Sequence, residues 1–252
     1  MLFEHNIRAA KGKLNLIFNR NASIVECRHN DISAEFAIFN PSDVVQSWQA
    51  AGVFYEFVEL ELMSNYFSGG IFVDIGGNVG NHAIFFALQK NCTKVITFEP
   101  NPIALRILNT NLALNKLQDK VEVRPYGLGR IESTATLKTP KHNLGGASIS
   151  EIDLEDHSNP SADANDIVVK VGDHVLEGIV PALIKIDIEG FEFECLQGLQ
   201  KTILTHKPIL FIELDDKNVN QMEQFFIQIG YEIVARPSRY GTSTNIIAKS
   251  KN

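Results

Sequence analysis

The chain is 252 residues long, enough for one large domain with a full core or two small ones. Hydrophobic residues make up 44% and charged residues 21%, ordinary proportions for a soluble globular protein, and no run approaches the roughly 18 apolar residues of a membrane span. The formal charge of -7 supplies no field for nucleic acid or an anionic membrane, and three scattered cysteines without CxxC spacing fit neither a disulfide framework nor a zinc site.

The first eighteen residues, MLFEHNIRAAKGKLNLIF, carry spread charges and no sustained apolar core of a secretory signal, so the expected compartment is the cytoplasm. Ser23 to Cys27 and Glu35 to Phe39 read as short strands joined by the turn signal His29-Asn30-Asp31. Trp48, the single tryptophan, reads as a packing residue. Residues 1–52 are expected to form an extension that covers a pocket built by residues 53–252. From Val53 to Phe67 apolar residues recur at helical spacing, stopped by Ser68-Gly69-Gly70.

An alternation then begins. Ile71 to Asp74 is a strand, Asn81 to Lys90 a helix, Lys94 to Phe98 a strand, Ile103 to Asn115 a helix and Lys120 to Arg124 a strand. Strands alternating with helices imply a parallel sheet with right-handed crossovers, an α/β domain with helices on both faces. Residues 125–181 are irregular, with strands expected at Ser133 to Lys138 and Ile167 to Val171 and an acidic polar loop, DLEDHSNPSADAND, between them. The alternation resumes with Ala182 to Asp187, a helix from Phe191 to Leu204, Ile209 to Leu214, and a helix from Val219 to Ile229 ended by Gly230. Tyr231 to Arg236 and Asn245 to Lys249 are separated only by PSRYGTST, too short for a crossover helix, so they pair antiparallel.

The chemistry centres on IFVDIGGNVGN, Ile71 to Asn81: strand, glycine turn, helix start, the device that lets backbone approach a nucleotide-like ligand. The glycines at 76, 77 and 80 do not fit the G-x-G-x-x-G spacing of a dinucleotide site, which disfavours a nicotinamide-dependent oxidoreductase. Asp74 would suit a cationic or zwitterionic ligand better than a pyrophosphate. Glu99 closes the next strand, where a carboxylate accepts hydrogen bonds from ribose hydroxyls. Pro100 and Asn101 start the following helix, and Gly127 lies where an adenine edge must be accommodated.

DIGGNVGN, FEPNP, the NxxLN pattern around Asn111 to Asn115, and IKIDIEGFE at 184–192 resemble the FkbM family of S-adenosylmethionine-dependent methyltransferases. The resemblance covers roughly residues 52 to 248, with GVFYE before the first strand of the core. It implies a class I (Rossmann-like) methyltransferase fold, a seven-stranded, mostly parallel sheet whose last strand is antiparallel. It also implies S-adenosylmethionine as cofactor and O-methylation of a small-molecule or glycan hydroxyl, with N-methylation as the alternative. The residues expected around the cofactor are Asp74, Gly76, Gly77, Asn78, Gly80 and Asn81 in the turn, Glu99 and Pro100 after the second strand, Gly127 after the third and Asp187 after the fourth.

Methyl transfer from a sulfonium needs alignment and exclusion of water, and a hydroxyl acceptor also needs a base. Asp187 ends the fourth strand at the sheet edge where ligands bind, with Glu189 two residues on and Glu192 in the helix that follows. Asp187 is expected to touch the methionine amino group or the acceptor, and Glu189 to act as base or to orient the acceptor. Glu192 reads equally as a first-turn glutamate favoured by the helix dipole. Lys185 is expected to point away from Asp187's neighbours. Glu213, near the end of the fifth strand, could share a divalent cation with Asp187, but two carboxylates are thin support, and no metal ligands are assigned. His82 and His142 read as ordinary histidines, and HNLGGASIS, 142–150, as part of an acceptor wall or a plain hairpin turn.

Overall fold

The computed structural model describes residues 22–138, 143–153, 166–240 and 243–251. The chain opens with an antiparallel hairpin, β1 (Ser23–His29) and β2 (Ile32–Ile38), turning at Asn30 in the left-handed region. β3 (Gly70–Ile75), β4 (Cys92–Phe98) and β5 (Val121–Arg124) follow, then β6 (Gly127–Gly129), β7 (Ser133–Lys138), β8 (Ser148–Asp153) and β9 (Asp166–Val171). β10 (Pro181–Ile186), β11 (Ile209–Asp215), β12 (Tyr231–Ala235), β13 (Ser238–Tyr240) and β14 (Ser243–Ser250) complete the chain.

The central sheet runs β12-β14-β11-β10-β3-β4-β5, with β13 paired to β14 off this path. The pairs from β11 to β5 are parallel, and β14 is antiparallel to both β11 and β12. This is the class I methyltransferase arrangement. The expected antiparallel pairing of the last two long strands is present at the edge of the sheet, with β14 between β11 and β12. Its IIA run, Ile246 to Ala248, is fully buried, which explains why the final strand takes the inner position.

Apolar side chains alternate between the two faces of the parallel strands. Phe72, Val95 and Leu183 face one core with the helices Phe57–Tyr66, Asn81–Leu88 and Pro102–Leu114, while Val73, Ile96 and Ile184 face the other with Glu192–Gly198, Gln200–His206 and Val219–Gln228. Among the described residues no helix is long and apolar enough to cross a membrane.

Four features differ from the sequence expectation. The helix expected from Val53 begins only at Phe57, because Glu56 adopts the left-handed region (φ 60) and breaks the periodic run. A helix at Val44–Ala50, capped by Asp43 accepting from the Gln46 amide, lies in the N-terminal part, where no helix was expected. The helix expected over Phe191 to Leu204 is split at Leu199 into two pieces. The four strands β6, β7, β8 and β9 form a second sheet in the order β6-β9-β7-β8 rather than standing as isolated strands, and residues 139–142 and 154–165 lie outside the described ones.

The N-terminal hairpin is fixed to the core by polar pins as well as apolar contacts. Asn111, fully buried, accepts from the Ala37 amide (2.8 Å) and donates to the Val79 carbonyl (2.8 Å). Asn115 accepts from the Glu35 amide and donates to the Glu35 carbonyl. Replacing Asn111 by Leu strands two buried backbone groups, and each should cost about 1–3 kcal/mol. Urea unfolding of Asn111→Leu should therefore show a loss of about 2–6 kcal/mol with an unchanged slope, and an unchanged midpoint would show that the pins contribute nothing.

Candidate active site

The site is a cavity of about 320 Å³ at the carboxyl ends of β3, β4 and β10, within the size range of small-molecule pockets. The turn after β3 forms its floor. Gly76 is in the left-handed region (φ 86), and a Cβ there would lie 1.9 Å from the Asp187 carbonyl oxygen, so only glycine allows β3 and β10 to close at this point. Asn78, also left-handed (φ 45), donates its amide to Glu99 Oε2 at 2.7 Å. The Asn101 amide donates to Glu99 Oε1, again at 2.7 Å. Burial pushes the Glu99 carboxyl up to about 7 against those two amides. Gly76, Asn78, Glu99, Pro100, Gly127 and Asp187 all line the cavity.

The remaining residues expected at the cofactor stand behind that lining. A Cβ on Gly77 would meet Thr97 Oγ1 at 2.0 Å, so this glycine serves the packing of the turn on β4. Gly80 starts the helix Asn81–Leu88 with φ 90. Asn81 grips the backbone of Tyr55, donating to its carbonyl (2.7 Å) and accepting from its amide (3.1 Å). It thereby presents Tyr55 and Glu56, which do line the cavity. Asp74 is fully buried, and its near neighbour is a cation of the protein itself: Lys185 Nζ lies 3.5 Å from Asp74 Oδ1 and 3.2 Å from Asp187 Oδ2.

Lys185 was expected to point away from Asp187's neighbours, and instead it lies against Asp187 and Asp74. The two-residue period of a strand puts 185 and 187 on one side, and the β10–β3 register sets Lys185 opposite Asp74. Glu56 was missed as well, and its carboxylate lies 3.1 Å from His82 Nε2. Burial, helped by Lys185, holds His82 down at about 4, so its imidazole is neutral. His142 lies outside the described residues.

The turn after β10 carries the other carboxylates. Glu189 (φ 53) and Gly190 (φ 96) are both left-handed, a conformation an ordinary residue adopts at a cost and one found disproportionately at functional sites. Glu192 is buried, and its Oε1 accepts from the Gly190 amide at 2.8 Å, bracing that turn. Glu189 is raised to about 7 by burial, then by Asp187 and Glu192. Glu213 is raised to about 7 by burial and by Asp187, against a hydrogen bond from Ser243 Oγ. Asp187, Glu189 and Glu213 also line a second cavity of about 390 Å³, so the two spaces share a wall of three carboxyl groups. Among the described residues no group of three or more His, Cys, Asp or Glu side chains is disposed to hold a metal ion. On the far side, Asn143, Leu144, Gly145 and Ala147 close the first cavity, with the Leu144 amide donating to Asp43 Oδ2 at 2.8 Å.

Residues 74–233 match the methyltransferase FkbM domain. The chain is 27% identical over 166 residues to the methyltransferase sdnD of Sordaria araneosa, covering 55% of this chain and 64% of that protein. It is 26% identical over 130 residues to the hexuronic acid methyltransferase AglP of Haloferax volcanii, covering 52% of this chain and 50% of that one. The chain therefore spans about half to two thirds of the length of these curated relatives. Its fold resembles the crystal structure of the FkbM methyltransferase from Methylobacillus flagellatus KT, with TM-score 0.51 at 20% identity, over 71% of this chain and 43% of that one. It also resembles the B. subtilis m1A22 tRNA methyltransferase TrmK, with TM-score 0.50 at 13% identity, over 77% and 65%. The family match holds more than half of the sequence and includes every strand-end carboxylate of the cavity, and on it the chain belongs to the FkbM methyltransferase domain family.

Proposed function

We propose that the protein is an S-adenosylmethionine-dependent O-methyltransferase acting on a hydroxyl of a sugar or secondary-metabolite acceptor. The observation that carries the reading is the shared wall. One cavity has a ribose-type carboxylate and a glycine turn, the other is rich in carboxylates, and Glu189 stands where they join.

The residues fit the cofactor. Glu99 has one hydrogen bond on each oxygen and keeps lone pairs for a diol. Phe98, Leu128 and Ile167 supply apolar surface for a base, and Asp187 supplies a carboxylate for a cation. Bound there, S-adenosylmethionine would supply a methyl carbon already activated by its sulfonium. What remains for the protein is to orient the acceptor, exclude water and take a proton. Glu189, with its carboxyl near 7, is suited to take the proton of a hydroxyl at neutral pH. An amine acceptor would need less of such a base, which is why the hydroxyl is preferred. The sugar class is supported by the name of the Haloferax relative, a hexuronic acid methyltransferase.

Calorimetry should show S-adenosylmethionine binding to the wild type. Glu99→Gln keeps the shape but weakens the acceptor of the diol, so its affinity should fall by about tenfold or more. Wild-type protein that gives no binding heat would end this reading.

Acceptors can be found by screening hexosides, uronosides and polyols with labelled cofactor. On any accepted substrate the rate should rise with pH through about 7 and then level, because the base works only when deprotonated and its folded value lies there. Glu189→Gln should lower kcat by about 10²–10³-fold and leave cofactor affinity within a few-fold. A Gln variant with wild-type kcat and an unaltered pH profile would remove Glu189 from the proton path.

A further inference from the structure

Glu56 stands at the cavity in a conformation that an ordinary residue adopts only at a cost. It is in the left-handed region (φ 60), it is buried, and it lines the cavity. Its backbone is held from both sides. Asn81 grips Tyr55 just before it, and its own carbonyl accepts from the Leu60 amide at 2.9 Å, opening the helix Phe57–Tyr66. Such a conformation persists only where its surroundings fix it, and it concentrates where ligands are held. Glycine or asparagine would adopt it more cheaply, so the backbone alone does not call for a glutamate here.

Contacts along the glycine turn say which part of the cavity Glu56 serves. The Asn78 amide meets Glu99 on this turn, and Asn81, at the start of the helix that follows, meets Tyr55. The next residue, His82, has its Nε2 3.1 Å from the Glu56 carboxylate and feels the charges of Lys185, Asp74 and Asp187. Glu56 thus belongs to the Asp187 end of the cavity rather than to the apolar end of Phe98, Leu128 and Ile167. A nucleoside with its ribose on Glu99 and its base on that apolar surface sends its 5′ substituent toward Glu56.

In S-adenosylmethionine that substituent carries two cations, the sulfonium and the α-ammonium, with a short carbon chain between them. Asp187 already has an ammonium beside it, Lys185 Nζ at 3.2 Å. The imidazole beside Glu56 is neutral, because burial and then Lys185 hold His82 down at about 4. It approaches without an aligned hydrogen bond at Nε2, so His82 does not compensate that carboxylate.

We propose that Glu56 binds the α-ammonium of the methionine tail, as a residue of the cofactor site contributed from outside the family match at residues 74–233. The proposal rests on the S-adenosylmethionine reading above and deepens it: the donor site is complete only when the segment held by Asn81 is in place.

The test is calorimetric titration of the full chain with three ligands that differ in the tail. S-adenosylmethionine and S-adenosylhomocysteine both carry the α-ammonium, and 5′-methylthioadenosine has the same nucleoside without it. Glu56→Gln keeps the shape of the side chain and withdraws its charge. It should weaken S-adenosylmethionine and S-adenosylhomocysteine alike by about 10- to 100-fold, the scale of one hydrogen bond to a charged group. Its affinity for 5′-methylthioadenosine should stay within about threefold of wild type, because that ligand has no group to lose there. Glu56→Asn, which suits the left-handed region better, should fold at least as stably and show the same selective loss. Glu99→Gln, which acts at the ribose, should weaken all three ligands. Unchanged S-adenosylmethionine affinity in both Glu56 variants overturns the proposal. So does a loss that extends equally to 5′-methylthioadenosine, or failure of both variants to fold, since either makes Glu56 a structural residue of the wall. Wild-type protein that binds none of the three ligands overturns the cofactor reading along with it.

Discussion

At Gly76 the backbone leaving β3 runs against the backbone of Asp187 with no room for a side chain, and the rest of the site hangs on that approach. The Asp187 amide donates to the Ile75 carbonyl at 3.1 Å, and the Gly76 and Gly77 amides both donate to the Phe98 carbonyl at 3.0 Å. Three strand ends are thereby tied into one rigid edge. Only then can Asn78 bring its amide to Glu99, and only then do Asp187 and Glu99 face one cavity from neighbouring strands. Peptide groups set this geometry, so it tolerates change in side chains far better than change in the two glycines.

A second constraint brings the N-terminal part to that edge. Asparagines do most of the fixing: Asn111 and Asn115 hold β2, and Asn81 holds the backbone of Tyr55. Each amide side chain satisfies both a donor and an acceptor of an otherwise irregular segment, which apolar packing alone cannot do. Val44, Val45, Tyr55 and Glu56 can therefore serve as cavity wall although they lie outside the central sheet.

The sequence made much of this legible because local signals carry it. Strand–helix alternation, short connections and strand-end carboxylates are readable from neighbours in the chain, and they suffice to place Asp187, Glu189 and Glu99 at the sheet edge where the cavity lies. Roles fixed by distant pairing were not. Lys185 meets Asp74 through the β10–β3 register, and nothing in PALIKID states that register, although the shared side of 185 and 187 was there to be used. The tie of Asn81 to Tyr55 was not legible because it spans 26 positions. The helix start was misplaced because a periodic apolar run cannot show the left-handed residue at Glu56 that interrupts it. The β6-β9-β7-β8 sheet needs pairing across the polar loop, which composition alone cannot reveal.

The electrostatics of the edge join its two halves. Glu99, Glu189 and Glu213 all sit near 7 because burial and neighbouring carboxylates oppose their ionisation. A cation at the Asp187 wall acts against both causes, since it adds an opposite charge where like charges dominate. By linkage, whatever favours ionisation of Glu189 when a cation binds must favour the cation equally when Glu189 ionises. In a site arranged this way a cation in the cavity and the proton on Glu189 are one coupled quantity: the cation lowers the carboxyl's proton affinity, and the ionised carboxylate holds the cation more tightly.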